Sequence, residues 1–241
     1  MIPDVASPPE KQTSTLMAAD TLPNTTAPPV AAERRVLIPR ISWEAYVAFG
    51  DELARQDCRS VRLTYDRGSL EIMTTGAPHE WYKEMLGNLF VVMVYELGIE
   101  KRSGGQMTFR RKDLRRGLEP DRCWWIAHEQ EMRTRDDFDP HNDPPPDLAL
   151  EIEISNPLLN KVSIYAALGV PEIWRYDGQA LRFWERRDDN SYRQVETSIA
   201  FPFLRPEHLL PYLRIDDEMG ETRRLRQFAA WLRENHSRLE E

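Results

Sequence analysis

The sequence predicts a mixed α/β domain, a central β-sheet with helices packed against it. Two observations predict it. Short runs of alternating apolar and polar residues recur along the chain, and apolar runs at three-to-four spacing stand between them. The clearest alternating run is "DPPPDLALEIEIS", residues 143–155. There Leu148, Leu150, Ile152 and Ile154 fall on one side, and Asp147, Ala149, Glu151, Glu153 and Ser155 on the other.

Taken in order, residues 1–35 carry Pro3, Pro8, Pro9, Pro23, Pro28 and Pro29 among Ala, Ser and Thr. With few large apolar side chains, such a segment cannot offset its ordering entropy and reads as a disordered tail without chemistry. Residues 36–241 read as a single domain. "SWEAYVAFGDELARQ" is a helix capped by Ser42, and "RSVRLTYDRGSLEIM" a hairpin that turns at "DRG". "APHEWYKEMLGNLFVVMVYELG" is the strongest helix, with Gly98 as its stop. "IEKRSGGQMTFRR" reads as a second hairpin, around Gly104 and Gly105. "LEPDRCWWIA" is a strand, and an acidic, proline-rich loop follows over 129–146. After the alternating strand, "NPLLNKVSIYAALG" is a helix with Pro157 in its first turn. "PEIWRYD" and "ALRFWERR" are strands joined at Asp177 and Gly178, and a helix over about 219–236 closes the chain. Trp124, Trp125, Trp174 and Trp184 fall at strand positions and read as packing residues.

The chemistry lies in the carboxylates. Glu119 and Asp121 share one face of their strand, and Glu151 and Glu153 one face of theirs. If the two strands pair, about 4.8 Å apart, Asp121 and Glu151 reach one hard divalent cation. Without a cation, neighbouring carboxylates raise each other's pKa. The bland alternative is a strand wet on its polar side, which needs no ion. Pro120, and Pro144 to Pro146, fix where the two carboxylate-bearing strands begin, and Lys161 stands close behind as a cation. His79 and Glu80 open the long helix and either face the carboxylates or form an ordinary first turn, which suits Glu80. The run "RRKDLRR", with Arg110, Arg111, Arg115 and Arg116, is the densest basic stretch. It is either a solvated loop or a set of phosphate contacts for DNA beside a metal site.

Other function classes find no support. The 241 residues carry 32 Lys+Arg against 40 Asp+Glu, a net charge of -8, which argues against binding nucleic acid over the whole surface. The two cysteines, Cys58 and Cys123, form no zinc or redox spacing. No apolar run is long enough to span a membrane, and no secretory signal opens the chain, so the sequence reads as a soluble cytoplasmic protein. Nucleotide-binding glycine loops and the nucleophile-elbow motif are absent.

In order and spacing, "RLTYDRGSLEIM", "GLEPDRCWWI", "DPPPDLALEIEIS" and "YAALGVPEIWRYDG" resemble the Uma family of restriction endonucleases, of the PD-(D/E)xK nuclease superfamily, over about residues 40–205. The resemblance implies a restriction-endonuclease-like core and Mg²⁺-dependent cleavage of DNA phosphodiesters, with Mn²⁺ as a substitute. It makes Asp121 and Glu151 metal ligands. Glu153 stands where the superfamily has its lysine, and Lys161 on the following helix takes that place. "SNPLLNK" departs from the Ser/Thr-rich run expected there. Glu153 could hold Lys161, bind a second metal or act on water. Cutting two strands favours two centres, hence a homodimer. The alternative is an inert descendant of the nuclease fold that serves as a binding or interaction module, which the displaced lysine and the acidic balance both favour.

Overall fold

The computed structural model describes residues 33–239, apart from 59, 106, 216 and 217. The elements are β1 (Glu33–Ile38), α1 (Trp43–Arg55), β2 (Val61–Asp66), β3 (Ser69–Thr75), α2 (Ala77–Glu96), β4 (Arg102–Ser103), β5 (Phe109–Arg111), β6 (Arg116–Leu118), β7 (Arg122–Trp125) and α3 (Glu129–Met132). They continue with β8 (Leu148–Ile152), α4 (Lys161–Leu168), β9 (Glu172–Tyr176), β10 (Leu181–Arg186), β11 (Tyr192–Val195), α5 (Pro206–Leu209), a 3₁₀ turn (Leu210–Tyr212) and α6 (Glu221–Leu239). The α/β expectation holds, with one addition. The strands form two sheets rather than one.

The six-stranded sheet has the order β11-β10-β9-β8-β7-β4 and is mixed, since β8 and β9 run parallel. Helices flank it on both faces. On one, Leu86, Leu89, Phe90 and Met93 of α2 pack on Trp124, Leu150, Ile152 and Trp174, with Phe228 and Leu232 of α6 in the same core. On the other, Ile164, Tyr165 and Leu168 of α4 cover Cys123, Ala149 and Ile173. β8 is therefore buried on both sides, as a parallel-paired strand usually is. The alternation read from its sequence separates two interior environments, not core from water.

The other sheet, the first along the chain, has the order β1-β3-β2-β6-β5, is antiparallel and packs α1 through Trp43, Tyr46, Leu63, Tyr65 and Leu70. Ser42 caps α1 as expected, its Oγ accepting from Ala45 N–H at 3.1 Å. The β2–β3 and β9–β10 hairpins and the C-terminal helix also stand where the sequence puts them.

Four expectations need correction. The tail boundary near residue 35 falls inside β1, which pairs with β3 along its full length; residues 1–32 lie outside the described residues. No hairpin forms around Gly104 and Gly105. β4 joins β7 in one sheet and β5 joins β6 in the other, so the chain passes between sheets there. A Cβ on Gly104 would sit 2.5 Å from Cys123 Sγ, so this close approach requires glycine. The hairpin lies one step on, where "RRKDLRR" itself joins β5 to β6 with Arg115 at φ +50°. "LEPDRCWWIA" is not one strand either: β6 ends at Leu118 in the first sheet and β7 begins at Arg122 in the second. Finally, the helix after β8 starts at Lys161 rather than at Pro157, because Asn160 caps it through Ser163 N–H. The backbone before it is held by side chains of the other sheet.

Candidate active site

Pro120 and Asp121 form the joint at which the chain leaves the first sheet and enters the second. β7 then pairs antiparallel with β8, Arg122 opposite Leu150, which brings Asp121 alongside Glu151. Asp121 extends that ladder with its side chain, its Oδ2 accepting from Ile152 N–H at 2.8 Å. Its other oxygen, Oδ1, lies 2.9 Å from His79 Nε2. Glu151 points under α4, where Lys161 Nζ stands 2.6 Å from Oε2 and the Tyr165 hydroxyl donates to Oε1. Asp121 and Glu151 are each 1% exposed and Lys161 4%. The wet polar face is thereby excluded for this strand.

The structure brings Asp121, Glu151, Lys161 and His79 together. Glu153 lies just past β8 and pairs with Arg175 of β9, at 2.5 Å, rather than with Lys161. Its Oε1 is buried without a hydrogen-bond partner. Glu119 does not share Asp121's surroundings. It lines a separate cleft with Arg62, Arg110 and Asp51, because the chain turns at Pro120 between the two residues. Three arginines of the basic run are paired with carboxylates: Arg110 with Asp51 (2.6 Å), Arg111 with Asp113 (2.7 Å) and Arg116 with Asp66 (2.9 Å). Arg115 is exposed at the hairpin turn.

Sequence reasoning missed the support behind these groups. Glu33 of β1 lies 2.9 Å from His79 Nδ1, so the imidazole bridges Glu33 and Asp121. Glu33 also accepts from Ile154 N–H and Ser155 N–H, both at 3.0 Å, and from the Ser155 hydroxyl. Arg35 joins Glu33 (2.8 Å) to Glu71 of β3 (2.5 Å), and Glu71 takes Leu158 N–H and Leu159 N–H at 2.6 and 2.8 Å. The 154–159 segment is thus clamped by two carboxylates of the first sheet, which places Lys161 at the helix start. No motif marked Glu33. The one available signal, the apolar run "VLI" at residues 36–38, is too short to separate from a tail.

The electrostatics follow from burial against pairing. Burial pushes Glu151 up, and Asp121 and Glu153 add to this against Lys161, leaving it at about 7. Burial would raise Asp121 too, but the His79 and Lys161 charges and the Ile152 amide hold it below the usual carboxylate range. Burial would lower His79, but Asp121 and then Glu33 raise it to about 9, so the ring is an imidazolium that donates to both.

Among the described residues, no group of three His, Cys, Asp or Glu side chains is arranged to hold a metal ion. Asp121 and Glu151 offer two hard oxygen donors. Burial above all, with the Asp121 charge added to it, raises Glu151, and a cation would relieve that load. That donor set fits Mg²⁺, which binds through one or two carboxylates and keeps several waters.

The family described as "putative restriction endonuclease", Uma2, matches residues 46–218, more than half of the chain. Among solved structures, one from Anabaena variabilis ATCC 29413, described as "a putative nuclease belonging to DUF820", is similar at 13% identity with a TM-score of 0.42. The match covers 63% of this chain and 91% of that one. No curated protein matches.

Proposed function

The chain belongs to the Uma2 family, and on that premise we propose that it is a metal-dependent endonuclease that hydrolyses DNA phosphodiester bonds. Family membership supports a nuclease, a hydrolase acting on nucleic acid. The finer reading rests on one observation: two buried carboxylates, Asp121 and Glu151, lie side by side with the Lys161 ammonium on one of them. Mg²⁺ or Mn²⁺ held by Asp121 and Glu151 would neutralise charge on the phosphoryl oxygens and lower the pKa of a bound water.

The chain's own groups have separable tasks. His79 holds Oδ1 of Asp121 and so fixes the carboxylate plane. Tyr165 does the same for Oε1 of Glu151. Lys161 adds positive charge where the pentacoordinate phosphorus builds negative charge, or orients the attacking water. Glu153, tied to Arg175, keeps a second carboxylate beside the pair. Of the basic run, Arg115 is free to meet phosphate, while Arg110, Arg111 and Arg116 would first exchange a carboxylate for it. A protomer with one centre cuts one strand, so cleavage of a duplex calls for a homodimer.

A second reading has its own observation. Each oxygen of Asp121 and Glu151 already has a partner within the chain, as expected of an inert nuclease fold that binds without cutting. Calorimetric titration of Mg²⁺ and Mn²⁺, run beside plasmid nicking on wild type, Asp121→Asn and Glu151→Gln, separates the two. The nuclease reading expects metal binding and nicking in wild type and neither in the variants. No nicking by the wild type, with or without metal binding, selects the inert module, and nicking undiminished in Asp121→Asn would refute the assignment.

A further inference from the structure

We propose that Lys83, Lys101 and Arg122 form the track that holds the phosphate backbone of the substrate strand beside Asp121. The proposal rests on the nuclease reading and adds the surface on which that substrate lies. Asp121 borders a cleft of about 680 Å³ whose walls include Arg122, Lys83, Glu80, Glu84, Gly105 and Ala77, the first residue of α2. Arg122 is the next residue on β7, so a phosphate that it holds is one residue from the proposed metal ligand.

Arg122 has a seat built for it. Its side chain lies across α2 at Gly87, where a Cβ would stand 2.5 Å from Nε and 2.8 Å from Cδ. Glycine is disfavoured in a helix interior, and here it opens the notch that the guanidinium stem occupies. One end of that guanidinium meets Glu84, while Nε is buried without a partner.

Lys101 precedes the edge strand β4, which pairs with β7. Its ammonium donates to Ser103 Oγ at 2.7 Å, and no carboxylate partners it among the described residues. Among the described residues Arg102 donates to carbonyls, of Ser103 and Arg135. Burial first, then the like charges of Arg122 and Arg102, hold Lys101 below the usual ammonium range. Lys101 and Arg102 are thus cations that no described carboxylate pairs, unlike the three arginines of the 110–116 run, which Asp51, Asp113 and Asp66 neutralise, while Arg122 and Lys83 keep Glu84 and Glu80. Lys83, paired with Glu80, continues the line of positive charge along the same wall. Lys83 and Arg122 line the cleft, and Lys101 stands near enough to Arg122 for their charges to interact; cations spread in this way suit successive phosphates of a strand better than a single anion.

The test is fluorescence anisotropy of a labelled duplex oligonucleotide over a salt series, in a Glu151→Gln background that binds without cutting. Each phosphate contact contributes about 0.9 to the slope of log K against log salt. Lys101→Gln with Arg122→Gln should lower that slope by about two. Glu84→Gln, which releases Arg122, should tighten binding, a gain that a damaged fold would not produce. Arg193→Gln, on exposed β11 and paired with Glu185 at 2.6 Å, should change neither. An unchanged slope in the double variant, or an equal loss in Arg193→Gln, overturns the track. Metal-dependent nicking by the wild type is scored separately. Nicking with an unchanged slope removes the track alone, whereas a slope reduced as expected without nicking keeps the track and removes the nuclease. Absence of salt-dependent binding in the parent removes both.

Discussion

Glu33→Gln removes one negative charge from the strand that braces the site from behind. The carboxylate has no exposed surface and accepts from Arg35, His79, Ile154, Ser155 N–H and the Ser155 hydroxyl. Burial acts to raise its pKa, but the hydrogen bonds of His79, Ser155 and Arg35 outweigh it and bring the group from 4.5 to about 2. A carboxyl held below its unfolded value adds stability above that value and loses it as pH falls through the folded one. The full contribution is about 3 kcal/mol; about 1 kcal/mol of it is gone by pH 3.5 and about 2 kcal/mol by pH 3. The glutamine variant lacks this titration. Urea unfolding of both proteins at pH 6, 4.5, 3.5 and 3 should show a gap of about 3 kcal/mol at pH 6 that narrows by those amounts. A gap that stays constant over the series would refute the charged clamp and leave Glu33 a neutral packing residue.

Lys161→Met keeps the length of the side chain and removes its charge, so nicking should fall by at least about 100-fold while calorimetry still registers metal; equal loss of both would place Lys161 in metal binding instead. Gly104→Ala forces a methyl against Cys123 Sγ and the Trp125 ring, at 2.5 and 2.8 Å before relaxation. It should cost about 1–3 kcal/mol, and an unchanged thermal midpoint would show that the crossing has more room. Neutralising Arg110, Arg111, Arg115 and Arg116 together should weaken DNA binding and lower the salt slope by only about one contact, the share of Arg115; a fall near four contacts would mean that the aspartates release their arginines to DNA.

What could be read in advance follows from the range of the interactions. The β2–β3 and β9–β10 hairpins, the capped helix and the strand at 148–152 are set by neighbours within a few residues, and they stand as read. Asp121, Glu151 and Lys161 were singled out in the same way, each in a short motif next to proline or a strand end, and the structure sets them side by side. The misreadings share a different cause. "LEPDRCWWIA" and "IEKRSGGQMTFRR" each look continuous, yet each is divided between two sheets, and only the pairing partners of β4, β5, β6 and β7 decide where the break falls. Pro120 and Gly104 mark those breaks, but a proline or glycine inside a run also marks a bulge or an edge.

Glu33 and Glu71 show why the remainder of the site was hidden. Each lies far from Asp121 along the chain, and each acts through backbone amides or a second side chain rather than through the reacting groups. They also show what balances the adjacent acids in the core. Glu33, Glu71, Asp121, Glu151 and Glu153 are all buried, and Arg35, His79, Lys161 and Arg175 alternate with them through direct hydrogen bonds. A buried ion pair contributes little over a well-packed apolar pair, since desolvation offsets most of the attraction. Nine such groups are therefore a poor way to stabilise a domain whose apolar clusters already fill both faces of the larger sheet. What the network does supply is placement: it joins β1, β3, α2 and the 154–159 segment so that Asp121, Glu151 and Lys161 meet in fixed orientation. Replacing Glu71 and Arg35 together by apolar residues of similar volume takes one partner from Glu33 and the acceptor from Leu158 N–H and Leu159 N–H, so stability and nicking should fall together, and full nicking in the surviving fold would reverse that argument.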